Sequence, residues 1–180
     1  MKHLLIGAVL SLSSFFSHGV VSCERWDNLD LEQKANLHVA YFLGSEHDLG
    51  WTLSAIALAE SNAGKWRLNY QSNDFGLFQI NMATASSILS ITNRYKLFEL
   101  AERLLYDDVL GADLAIDVLE HFRRGRILTN SVYKEMIMSY NRGYRWKHDK
   151  AERKNAEAYY HRVQTNVRML KKCSDINNQS

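Results

Sequence analysis

Glu60 closes the apolar run Trp51-Thr52-Leu53-Ser54-Ala55-Ile56-Ala57-Leu58-Ala59, and Gly76-Leu77-Phe78-Gln79-Ile80-Asn81 follows downstream. A helix that is apolar on nearly every side belongs in a protein core, and this run is too short to span a membrane. Glu60 is the first ionisable group at its C-terminal end. Desolvation and the negative end of the helix dipole both disfavour the anion there, so the carboxyl pKa is expected to rise. An acid that keeps its proton near neutral pH suits general-acid chemistry, such as protonating the oxygen of a departing sugar. The plain alternative is a half-exposed glutamate at a helix end.

Its companions have two readings each. Gln79 and Asn141 carry amides that could meet hydroxyl or acetamido groups, or simply cap local backbone. Tyr140 and Tyr159 could face a cleft or fill a core. Ser61 could support Glu60 or a ligand, or bond the end of its own helix. Asp74 stands just before Phe75-Gly76, where a second carboxylate would serve a retaining hydrolase if it came within about 5–5.5 Å of the first.

The elements that must position these groups are mostly helical. Asp30 caps a helix to Phe42 with Leu31, Ala35, Val39 and Phe42 as its apolar stripe. The buried helix spans 49–61, and Gly64 can end it. Residues 65–80 lack a helical period, and Asn69, Asn73, Asp74 and Gly76 favour turns or a small irregular sheet. Asn81 caps the next helix. Further helices are expected over 95–105, 109–122, 132–140 and 150–170, with Gly143 ending the one before last. The chain from Ser174 to Ser180 reads as a disordered polar tail.

The 180 residues suffice for one domain with a core, and the absence of proline and of repeats leaves no internal boundary. A formal charge of +2, from 22 basic and 20 acidic residues, gives no field that would call for nucleic acid. The one dense basic cluster is Arg145, Lys147, Lys150, Arg153 and Lys154, read as a solvated helix face or an attraction to an anionic polymer. His121, His148 and His161 are scattered, so no metal site is expected.

Residues 1–22 read as an export signal: Met1-Lys2-His3, an apolar stretch from Leu4 to Phe16, then small residues with cleavage sites after Gly19 or Ser22. Roughly 13 apolar residues are short for a retained membrane anchor. Cys23 and Cys173 are the only cysteines. In an oxidising compartment they would pair. Val20-Val21-Ser22-Cys23 also resembles a bacterial lipoprotein box, and an acylated Cys23 would have no thiol left. The expected location is the periplasm, or the outer membrane if Cys23 is lipidated.

Four motifs then fall in order: Ala59-Glu60-Ser61-Asn62, Gly76-Leu77-Phe78-Gln79-Ile80-Asn81, Ser139-Tyr140-Asn141-Arg142-Gly143 and Tyr159-Tyr160-His161-Arg162-Val163. Together they make the chain resemble the lytic transglycosylases of the soluble-lytic-transglycosylase, goose-lysozyme-like family, over roughly Asp48 to Arg168. The resemblance implies a mainly α, lysozyme-like single domain over 23–173 with a small irregular or β segment near 65–80. It implies Glu60 as the catalytic residue, and Ser61, Gln79, Tyr140, Asn141 and Tyr159 as substrate contacts. The implied substrate is the glycan strand of peptidoglycan, cut without a cofactor at the bond between N-acetylmuramic acid and N-acetylglucosamine to leave 1,6-anhydro ends. A secretion or conjugation assembly is a further partner of this reading. A hydrolytic muramidase using Glu60 and Asp74, and a non-catalytic peptidoglycan-binding module, are the alternatives. Phe78 in place of a methionine, Asn81-Met82 in place of Met-Pro, and the missing Glu-Thr-Arg before Tyr159 depart from the family pattern.

Overall fold

The computed structural model describes residues 22–176. The expected signal over 1–22 lies outside the described residues apart from Ser22. Eight helices follow one another: α1 (Glu24–Asp27), α2 (Leu31–Ser45), α3 (Gly50–Glu60), α4 (Met82–Leu89), α5 (Arg94–Leu104), α6 (Asp108–Arg123), α7 (Asn130–Arg142) and α8 (Lys150–Cys173). A 3₁₀ turn at Arg145–Lys147 joins the last two, and three short strands lie between α3 and α4.

Helix α3 is the axis of the core. Eight of its eleven residues are buried, and α2, α6 and α8 pack around it. Polarity is admitted only where it is satisfied, as at Ser54, whose hydroxyl donates to Leu37 O at 2.5 Å. Asp30 caps α2 in a reciprocal box with Gln33, as its position suggests.

The buried face of α2 differs from the expected stripe. Leu31 and Phe42 are 84% and 72% exposed, while Gln33, Leu37, Ala40 and Gly44 face inward. Close approach decides this: a Cβ at Gly44 would stand 3.0 Å from the backbone of Leu49, so the small-residue face is the one that lets α3 dock. Gln33 tolerates burial because its Nε2 donates to Asn62 O at 2.7 Å while its Oε1 accepts from Asp30 N at 3.0 Å.

Strands β1 (Leu68–Asn69), β2 (Asp74–Phe75) and β3 (Ile80–Asn81) form an antiparallel sheet in the order β1-β2-β3, with Asp74 opposite Asn69 on one side and Asn81 on the other. The sheet is tied to the helices by Arg67, which grips both carboxylate oxygens of Asp108 at the start of α6, at 2.5 and 3.0 Å.

Cys23 and Cys173 form a disulfide with a Cα–Cα distance of 5.5 Å, joining the start of α1 to the end of α8. The expectation of a disordered tail from residue 174 fails for its first three residues. Ser174 Oγ donates to Leu170 O, Asp175 lies 2.9 Å from His38 Nε2, and Ile176 is buried. Residues 177–180 lie outside the described residues.

Candidate active site

The C-terminal end of α3 brings Glu60 to the floor of a cleft of about 790 Å³. Helix α7 lines it with Tyr140, Asn141 and Arg142, the strands with Asp74 and Asn81, and the turn before β3 with Gln79. Three α-turn-like residues in left-handed conformation, Asn62, Ala63 and Gly64, turn the chain sharply after α3. This lets the sheet fold back over the end of the helix.

The residue Glu60 keeps partial access to the cleft, while its carboxyl is set deep. Burial is the largest influence on that carboxyl, and the nearby charge of Asp74 acts in the same direction. Tyr159, Arg162 and Arg142 pull the other way, and the pKa comes to rest at about 7. Burial beside Glu60 also raises Tyr140 and Tyr159 well above the ordinary tyrosine range, so both remain neutral phenols. The Tyr140 hydroxyl donates to Phe78 O at 2.9 Å, which locks α7 to the loop before β3. The Tyr159 hydroxyl is buried next to Glu60 and favours its carboxylate form.

Gln79 sits in the left-handed region at φ +49°, a strained conformation for a residue with a side chain. Its Nε2 donates to Trp66 O and Gly76 O at 3.2 and 2.9 Å, so the backbone holds the amide with its Oε1 as the acceptor left over among the described residues. Asp74 is equally constrained: Oδ2 accepts from Ser72 Oγ at 2.5 Å and Oδ1 from Asn81 Nδ2 at 2.8 Å.

Two residues expected to touch substrate lie elsewhere. Ser61 is fully buried; its hydroxyl donates to Leu77 O at 2.6 Å and accepts from Gly64 N at 2.8 Å, so it braces the turn below Glu60. Tyr159 lies beneath the carboxyl rather than on the cleft wall. Gly76, at φ +81°, makes room for protein: a Cβ there would collide with Leu104 O. Gly76→Ala is therefore expected to cost about 3 kcal/mol or more, from backbone collision and left-handed strain together. Urea denaturation reads it, and a loss below about 1 kcal/mol would contradict this packing.

Arg142 and Arg162 were not singled out as site residues, although both act on Glu60 electrostatically. Their signals were present. Arg142 stands inside the third motif, and Arg162 follows Tyr159 at helical i,i+3 spacing, which puts the two on one face.

The domain is thus helical, with a buried acid at the end of its central helix and a three-stranded sheet lining the same cleft. The family model described as the transglycosylase SLT domain matches residues 46–163, and the chain belongs to that family. Membership makes it a lytic transglycosylase of the lysozyme-like superfamily in general terms, acting on peptidoglycan. The match takes in the cleft residues from Glu60 to Arg142 and extends to Tyr159. Comparisons with curated proteins and with solved structures returned no match.

Proposed function

We propose that the protein cuts the β-1,4 bond between N-acetylmuramic acid and N-acetylglucosamine without water, leaving 1,6-anhydro ends. The observation that carries this reading is Glu60, an acid with a pKa of about 7 on the floor of a polar cleft. Its proton goes to the bridging oxygen as the glycosidic bond breaks, and the substrate's own acetamido group stabilises the developing cation. The Glu60 carboxylate then takes the proton of the muramyl C6 hydroxyl, whose oxygen bonds to the anomeric carbon. Glu60 ends protonated, ready for another turn. A pKa near 7 suits a group that must give a proton and take one back.

The state of Asp74 favours this route over hydrolysis. Each of its oxygens accepts a hydrogen bond, from Ser72 and from Asn81, which fixes the carboxyl on the sheet instead of leaving it free to turn toward a reacting carbon. Its place on the cleft wall keeps a muramidase reading as the second candidate. We assign the action to an exported protein: Cys23, paired with Cys173, has no thiol left to acylate, which favours a soluble periplasmic form over a lipoprotein.

Mass spectrometry of muropeptides released from purified peptidoglycan tests the product. Glu60-dependent 1,6-anhydro ends are expected. Reducing ends would transfer the chemistry to Asp74 and water, and binding without release would leave a wall-binding module.

A further inference from the structure

The basic cluster reaches the cleft through Arg145. Residues 121–154 carry ten basic and three acidic side chains, against 22 and 20 in the whole chain. Those three acids are already engaged: Glu135 pairs with Arg126 and Lys147 at 3.2 and 3.4 Å, Glu152 lies 3.6 Å from Arg142 Nε, and Asp149 caps α8. Arg124 and Arg145 have no carboxylate partner among the described residues. Arg124 Nε donates to the Tyr144 hydroxyl at 2.8 Å, and Arg145 Nε to Arg142 O at 3.4 Å.

An aromatic shelf holds this charge in place. Tyr144 packs edge-on against Phe122 at 5.1 Å and lies between the Arg124 guanidinium at 4.6 Å and Lys147 Nζ at 5.3 Å. Tyr144 and Arg145 both line the cleft, and Asp74 on the sheet lines it too. The cleft is therefore electrically polar, cationic at the Tyr144 end and anionic at the sheet.

We infer that the Arg124–Tyr144–Arg145 rim recognises free carboxylates of the peptide stems borne by the glycan strand, and so selects peptide-bearing strands over peptide-free ones. This inference rests on the proposed reading of the cleft as a peptidoglycan site. A neutral glycan alone gives no reason for unpaired guanidinium groups along its path. A stem that leaves the muramyl unit with free carboxylates does, and the Asp74 carboxylate in the same cleft disfavours its lying along the sheet.

The test measures binding and turnover separately. Glycan strands bearing peptides, and the same strands stripped by an amidase, are titrated with the Glu60→Gln protein, with and without Arg124→Gln and Arg145→Gln. At roughly 50 mM salt the peptide-bearing strands are expected to bind about tenfold more tightly, and the difference should vanish in the rim variant and at roughly 500 mM salt. Arg124→Lys with Arg145→Lys should restore it. With Glu60 intact, the rim variant should show a raised KM with kcat kept on peptide-bearing strands, so that the ratio of kcat/KM between peptide-bearing and stripped strands falls towards one.

Equal binding of the two strands, or a preference untouched by the rim variant, would overturn the inference whether or not cleavage occurs. Rim-dependent binding to phosphatidylglycerol vesicles in preference to strands would overturn it in favour of a membrane surface. A rim-dependent strand preference without any turnover would uphold it and sink the proposed catalysis instead.

Discussion

Glu60→Gln is expected to lose peptidoglycan cleavage by on the order of 10³-fold or more, because one group supplies both the proton that breaks the bond and the base that completes the ring. The same variant should be more stable than the parent at neutral pH. Below 4.5, the ordinary glutamate value, folded and unfolded chains both hold the Glu60 proton and burial carries no ionic penalty. Between 4.5 and about 7 the unfolded chain releases it while the folded chain retains it, so stability falls as pH rises. Above about 7 the penalty is constant at about 3 kcal/mol, and glutamine removes it. Denaturant melts at acid and mildly alkaline pH should therefore show the variant's advantage growing with pH. Near-normal turnover would sink the assigned chemistry, and a pH-independent advantage would mean that the carboxyl is solvated.

Removing the disulfide through Cys23→Ser with Cys173→Ser is expected to cost about 3–5 kcal/mol, the chain-entropy value for a loop of this length being about 5. The sequence separation of 150 is what makes the bridge valuable. Helix α1 has only four residues and no side-chain cap, so without the bridge it is held by buried Trp26 and by Arg25, which donates to Asn166 Oδ1 and Leu58 O at 2.7 and 3.4 Å. The melting temperature should fall by roughly 10 °C or more, with cleavage at low temperature kept because neither cysteine lines the cleft. An unchanged melting temperature would show that the bridge closes nothing the packing does not already hold.

The helices were legible wherever a local signal marked them. Asp30, Asn81 and Gly143 sit at the helix ends where their chemistry placed them, and the small sheet fell in the stretch that lacked a helical period. The inward face of α2 was not legible, since hydrophobicity pointed to Leu31 and Phe42 while backbone proximity favoured Ala40 and Gly44. Ser61 failed for a related reason. A motif residue beside a site can serve the backbone that shapes it, and sequence does not say which neighbour it meets. Their motif place and spacing marked Arg142 and Arg162, but not how near either comes to a charge on another helix.

The bridge between Cys23 and Cys173 also sets the topology of the domain. With Cα atoms 5.5 Å apart, the two residues make the chain between them a covalent ring. Whatever precedes Cys23 or follows Cys173 leaves from a single point, beside a groove lined by Trp26, Leu31 and Asp175, none of which belongs to the cleft. The two ends of the ring thus meet at one place, and neither cysteine lines the cleft. A permuted chain that joins the ends there and opens in the exposed turn at Arg124-Gly125 would trace the same ring from a different start.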